Sequence, residues 1–61
     1  MAWLAVNKDG TDVITDNINN THRNMFGGYW YCCSQIIVLP KGTIKKLIGR
    51  ELTWNDEPVE I

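Results

Sequence analysis

The stretch 38–50 restricts the fold more than any other part of the chain, because it places a very short helix between a proline and a glycine. Pro40 ends a strand, since its nitrogen cannot donate to a ladder. Gly42 or Thr43 can cap the helix start, and Gly49 can take the left-handed conformation that stops a helix. The apolar positions follow the i, i+3, i+4 spacing of one helix face and are Ile44, Leu47 and Ile48. A helix of two turns is unstable alone, so this face must pack on a sheet.

Segments of high strand propensity supply that sheet. They are 2–6, 11–15, 29–33 and 36–39, with weaker candidates at 52–54 and 59–61. Gly10 closes a turn between the first two segments. Alternation in the first segment places apolar side chains on both of its faces, which is typical of a strand that lies centrally or beneath a partner. The sequence therefore predicts an α+β fold, in which a small antiparallel sheet of four or five strands carries one short helix packed on a face.

Two connections are less clearly defined by the sequence. The segment 16–24 is almost wholly polar and rich in Asn, so we expect the least structured part of the chain there, either a solvated connector or a functional loop. Ser34 and Gln35 fit a hairpin turn, a bulge or the interior of a strand equally well.

The short chain limits the ways in which the fold can be stabilised. Its 61 residues form a single domain, 1–61, with a marginal core. Cys32 and Cys33 are neighbours that point to opposite faces of a strand, so we expect structural thiols without a disulfide. Together with His22 they are too few, and wrongly spaced, for a structural zinc site. Self-association is then the leading source of stability, and we expect a homo-oligomer, most simply a dimer.

Charge and hydropathy narrow the location and the partners. The net charge of −1 disfavours a protein that coats nucleic acid with its whole surface. The apolar N-terminal residues lack the positive leading region of a signal peptide, and no stretch approaches the roughly 18 apolar residues that span a membrane. We therefore expect a cytoplasmic protein without a membrane partner. The sequence offers no catalytic constellation, metal site or cofactor motif, so we expect a non-enzymatic protein.

The start of the helix is the first candidate site. The backbone N–H groups of Gly42 and Thr43, together with the helix dipole, can bind an anion. Lys41 and Lys45 can close over a phosphate or a carboxylate, and Arg23 is a further cation for such a ligand. The spacing is not that of a phosphate-binding P-loop, so a solvated helix face is the alternative.

The aromatic segment is the second candidate site. In a strand, Tyr29 and Tyr31 share one face while Trp30 takes the other. A small domain has difficulty burying both faces, so we expect one of them to be exposed or covered by a partner. Tyr and Trp are enriched at binding hot spots, which makes this segment a candidate interface.

The segments 39–44, 46–50 and 52–59, together with the opening 1–10, resemble parts of short proteins encoded by phages and by Bacteroides-type gut bacteria. The shared C-terminal pattern is LPKGxIxKLIGRxLTWxDEPV. The resemblance fails from Asp16 to Gln35. No activity, cofactor or catalytic residue is attached to this group, so the resemblance implies only a context: short genes on mobile elements often encode inhibitors or binding proteins.

These features together favour a small binding protein. We interpret it as one that sequesters or blocks a protein partner or a phosphate-bearing small ligand, with counter-defence as one setting. A small nucleic-acid-binding module that stacks bases on aromatic rings is the first alternative, and a structural or assembly protein is the second. A steep loss of affinity with salt would identify the nucleic-acid module.

Overall fold

The computed structural model describes residues 2–32 and 35–61. In chain order its elements are β1 (Trp3–Val6), β2 (Asp12–Thr15), a 3-10 turn (Ile18–Asn20), β3 (Thr21–Asn24), β4 (Tyr29–Cys32), β5 (Ile36–Leu39), α1 (Thr43–Ile48) and β6 (Val59–Glu60). The strands form a four-stranded antiparallel sheet in the order β5-β2-β1-β6 and a separate antiparallel hairpin, β3-β4. The predicted α+β fold class is confirmed, with the strands divided between two sheets.

A tight turn sets the register between β1 and β2. Asn7 N donates to Thr11 O at 2.9 Å, and Gly10 N donates back to Asn7 O at the same distance. Gly10 has φ +90°, a left-handed conformation that strains any residue with a Cβ. The glycine predicted to close this turn therefore does so, and Leu4 faces Ile14 across the pair.

One face of the four-stranded sheet is covered by α1. Leu4 and Val6 pack there against Ile44 of the helix and Leu52, and Ile48 lies at the margin of this cluster. The helix ends as predicted at Gly49, which has φ +78° and donates its N–H to Lys45 O. Leu47 departs from the predicted apolar stripe, since 56% of its surface is exposed. Within α1 Ile44 is the buried residue and Ile48 is partly buried, so Ile44 does most of the packing.

The opposite face of the sheet is covered by the β3-β4 hairpin. Ala5 and Val13 pack against Trp30 of β4, and Trp54 and Ile36 lie beside them. Both faces of β1 are thus buried, and β1 lies between β2 and β6. The central position, one of the two predicted for this strand, is confirmed, and the molecule has three layers: helix, sheet and hairpin.

The predicted strand at 52–54 is wrong. Thr53 N donates to the Asp56 carboxylate at 2.8 Å, and Asp56 N donates to Thr53 O at 3.0 Å, so the chain turns here. Alternation also placed the side chains wrongly, because in a strand Leu52 and Trp54 would share one face. Leu52 joins the helix-side cluster while Trp54 joins the hairpin-side cluster, so the two side chains point to different layers without strand pairing.

The segment 16–24 is more regular than its composition predicts. A 3-10 turn leads directly into β3, which pairs with β4 over its full length. Thr21 Oγ1 donates to Asn17 O at 2.6 Å and fastens the turn to the strand. Tertiary pairing with an aromatic strand overrides the low strand propensity of Asn.

Predictions about Cys33 and Ser34 lie outside the described residues. The Cys32 sulfur lies 3.5 Å from Thr15 Oγ1, where β4 meets β2. Within the ranges 2–32 and 35–61, no helix has the length and apolar character needed to cross a membrane.

Candidate functional site

The tip of the β3-β4 hairpin carries the most exposed of the large apolar side chains in the described part of the chain. Phe26 is fully exposed and Met25 is largely so. The turn beneath them is well determined, because Asn24 accepts the Gly27 N–H through its side chain and the Gly28 N–H through its backbone, both at 2.8 Å. A Cβ on Gly27 would collide with the Tyr29 ring, so a larger residue there would have to displace that side chain.

Three hydrogen bonds fix the hairpin to the end of β1 and to the turn that follows it. Trp30 N donates to Asn7 Oδ1 at 2.9 Å, and the Trp30 indole N–H donates to Val6 O at 3.0 Å. Lys8 N donates to Gly28 O at 3.0 Å. Because Trp30 is also buried, the tip residues project from a rigid support.

The outer face of the hairpin is aromatic. Tyr29 and Tyr31 are about half exposed while Trp30 is buried, which confirms that the two faces of this strand have different environments. His22 stacks on Tyr31 with ring centroids 6.2 Å apart. We call this set the aromatic hairpin surface; its members are His22, Met25, Phe26, Tyr29 and Tyr31. The sequence predicted the two tyrosines but not Phe26, which reads as a turn residue until the hairpin is seen.

Arg23 lies on the inner face of the same hairpin. Its guanidinium carbon is 4.7 Å from the Trp30 ring centroid and 5.4 Å from that of Trp54. It also donates to Asp56 O at 3.0 Å and lies 3.8 Å from the Glu57 carboxylate. Arg23 therefore clamps the hairpin to the 53–56 turn. It is on the opposite side of the sheet from the helix, so it does not join the helix lysines at one ligand.

The start of α1 is occupied by the chain's own carboxylate. Asp12, which is only 6% exposed, accepts from Gly42 N and Ile44 N through Oδ2, both at 3.1 Å. Thr43 N donates to Pro40 O at 3.1 Å. The amide donors predicted for an external anion are thus already bonded within the chain. Sequence reasoning missed Asp12 because it lies 30 positions before Gly42 and only the fold brings them together.

A cleft of about 230 Å³ lies beside this buried carboxylate, with Lys41 and Lys45 on its rim. Lys45 Nζ is 3.9 Å from the Glu51 carboxylate, which also lines the cleft. At the adjacent turn the Thr11 side chain and amide lower the pKa of Asp9, and the charge of Lys41 lowers it further by a smaller amount. The cleft therefore presents both lysine and carboxylate side chains, not a purely positive surface.

Among residues 2–32 and 35–61, no group of three or more His, Cys, Asp or Glu side chains is arranged to hold a metal ion. Comparison with protein-family models, curated proteins and solved structures finds no match to this chain. The functional conclusion therefore depends on the chemistry of the two surfaces, the aromatic hairpin surface and the helix-side cleft.

Proposed function

We propose that this chain is a small non-enzymatic binding protein that acts in the cytoplasm and blocks a protein partner through the aromatic hairpin surface. The observation that carries the proposal is the full exposure of Phe26 at the tip of a hairpin that buried Trp30 anchors to β1. The resemblance to short phage-encoded proteins favours a blocking role, with counter-defence as one setting. We also propose that the chain forms a homo-oligomer, most simply a dimer, through a surface other than the hairpin.

Exposure of apolar side chains supports a protein partner. Isolated apolar residues on a surface are common, but Phe26, Met25 and two tyrosines follow one another around a single hairpin. Aromatic side chains that enter a partner's pocket supply much of the binding energy in protein interfaces. A tip held by backbone hydrogen bonds loses little conformational entropy on binding, which raises its affinity.

An open cleft of about 350 Å³ next to the tip adds a receiving surface. It lies between the hairpin and the β1–β2 turn and is lined by Lys8, Asp9, Gly27 and Tyr29, among others. A partner that accepts Phe26 can therefore place a polar side chain of its own beside Lys8 or Asp9. A protrusion next to a cleft favours a shaped protein surface over a small ligand.

The helix-side cleft offers less to an anionic ligand. Its amide donors at Gly42 and Ile44 are bonded to Asp12, and Lys45 has Glu51 nearby. An added phosphate would have to displace these bonds or bind through solvated lysines alone, which contribute little each. For this reason we place the partner at the hairpin.

The test uses a partner identified by capture from host lysate, with affinity then measured by calorimetry on purified proteins. We expect Phe26→Ala to weaken binding at least about tenfold, equivalent to ~1.4 kcal/mol, because a buried aromatic contact is lost. Leu47→Ala is the matched control, since it removes an exposed apolar side chain from the helix instead. The control variant should bind as the unmodified chain does.

The combined change Lys41→Glu and Lys45→Glu examines the competing surface. We expect it to leave partner affinity within about twofold, because neither lysine belongs to the hairpin. A larger loss than that of Phe26→Ala would transfer the site to the helix. A partner that proves to be nucleic acid, with affinity falling steeply as salt rises, would favour the base-stacking alternative.

A further inference from the structure

The two edges of the four-stranded sheet differ in a way that points to a partner. The β6 edge is two residues long and carries Glu60. The β5 edge has four consecutive apolar residues, and Ile37 and Val38 are 50% and 65% exposed on its two faces. Proteins normally protect a sheet edge with charge, proline, a bulge or a short strand. Within Ile36–Leu39 the β5 edge has no charge, proline or bulge, and it is twice as long as β6.

The hydrogen bonds at the ends of β1 determine which backbone groups of β5 point away from the sheet. Asn7 N donates to Thr11 O on one side of β1, and Ile61 N donates to Ala2 O on the other. Because bonded pairs alternate along an antiparallel ladder, the backbone of Ile14 points toward β5 and bonds its partner Ile37. The N–H and C=O groups of Ile36 and Val38 consequently point away from β2.

Symmetry limits how a second copy can use this edge. An antiparallel pair of identical strands is related by a two-fold axis perpendicular to the sheet, so a residue at the centre faces its own copy. With Ile37 at the centre, Ile36 of each chain faces Val38 of the other, and each such pair exchanges both backbone bonds. With Val38 at the centre, Ile36 faces Pro40, which has no N–H to donate.

We propose that two copies of this chain associate through β5, antiparallel, with Ile37 of one copy opposite Ile37 of the other. The sheet then continues across both chains with the two helices on the same side. This inference rests on the homo-oligomer proposed above and is independent of the hairpin. The edge is self-complementary: no charged side chain within Ile36–Leu39 would oppose its own copy.

The side chains at the edge add an apolar contact to the backbone bonds. A groove of about 160 Å³ opens beside β5, lined by Ala2, Ile14 and Ile37 together with polar residues at its end. Ile37 of the second copy would lie at the open side of this groove, on the same face of the sheet. Four residues bury much less than the ~800 Å² per partner of a stable interface, so we expect a dissociation constant on the order of 0.1 mM.

Cysteine cross-linking tests the register directly. Residues that face each other in the non-bonded position have Cα atoms about 4.5 Å apart, within the range a disulfide accepts. Ile37→Cys should therefore form a dimer linked through residue 37 on mild oxidation. Val38→Cys is the matched control, because its copies would be displaced by two positions, about 8 Å apart. Peptide mapping by mass spectrometry separates these links from any that involve Cys32 or Cys33.

Each outcome of the cross-linking decides the proposal. A link through residue 37 but not 38 supports it. A link through 38 alone, or equal yields at both positions, overturns the register, and no link at either position overturns the β5 interface.

Sedimentation equilibrium from about 10 µM to about 1 mM then tests whether the chain self-associates at all and whether β5 is the interface. Ile37→Lys should raise the dissociation constant at least tenfold, because two lysines would face each other across the interface. Val38→Lys serves if Ile37→Lys fails to fold, and Leu47→Lys is the control on the helix. If neither β5 variant changes the dissociation constant, the β5 interface is wrong although the chain does self-associate. A monomer at every concentration overturns both, and neither result bears on Phe26.

Discussion

The start of α1 and the tip of the β3-β4 hairpin are both surfaces that the sequence marks by composition, but they differ in what the fold leaves unoccupied. At the helix start the amides of Gly42 and Ile44 are bonded to Asp12, and Lys45 lies near Glu51. At the hairpin tip Phe26 touches little of its own chain, and its exposure is complete.

The difference shows that donors, charges and aromatic rings in a sequence indicate a binding site only when the folded chain leaves them without an internal contact. An amide at a helix end must find an acceptor, and a carboxylate from elsewhere in the chain serves as well as a ligand. An aromatic ring at a hairpin tip has no such internal partner within reach. The Phe26 ring is therefore still available to a partner after folding, while the amide donors at the helix start are not.

The largest effect is expected from removing the Asp12 carboxylate, which accepts hydrogen bonds from the amides at the helix start. Asp12→Ala leaves two amides at the helix start without their acceptor, so we expect a loss of about 2–4 kcal/mol in the free energy of unfolding. Urea denaturation measures it. Asp12→Asn should cost less, since the amide oxygen can still accept one of the bonds.

Asp16→Ala is the control for this variant, because Asp16 is exposed and its loss should cost less than about 0.5 kcal/mol. Equal effects at Asp12 and Asp16 would show that the carboxylate does not hold the helix. The helix start would then be open to an external anion, and the contrast with the hairpin would disappear.

A smaller effect is expected for the clamp that supports the hairpin. Arg23→Ala removes a guanidinium held between Trp30 and Trp54, and we expect a loss of about 1–2 kcal/mol in thermal or urea unfolding. Arg23→Lys should recover only part of it, since an ammonium group cannot stack between two rings. Glu57→Gln should cost under about 0.5 kcal/mol, because that ion pair is at the surface. Full rescue by lysine would show that charge, not stacking, holds the hairpin.

Much of the architecture could be predicted from local signals. Pro40, Gly10 and Gly49 act through their own backbone chemistry, so the turn and the helix end follow from the residues alone. The position of β3 could not be predicted, because its polar residues become a strand only through pairing with β4. The role of Asp12 was hidden for a similar reason: a carboxylate in a strand looks the same whether it faces water or a helix 30 residues later.

The same limit applies to the candidate site. Alternation correctly separated Tyr29 and Tyr31 from Trp30, because strand geometry alone decides it. Arg23 was grouped with the helix lysines by charge, and only the three-layer arrangement shows that it lies on the other side of the sheet. Phe26 was overlooked because an apolar residue in a short turn gives no sign of whether it folds back or projects.

The smallest expected effect concerns the influence of Lys41 on the pKa of Asp9. The pKa of Asp9 is lowered mainly by the Thr11 side chain and amide, with Lys41 contributing least. We expect Thr11→Val to raise this pKa toward its ordinary value more than Lys41→Ala does, as followed by NMR titration of the carboxyl carbon. Since the folded pKa lies below the unfolded one, the associated stabilisation is present above the unfolded pKa and is lost as pH falls through the folded pKa. A larger pKa change for Lys41→Ala would mean that Lys41 acts on Asp9 more strongly than a solvent-exposed lysine should. The helix-side cleft would then again be a candidate anion site.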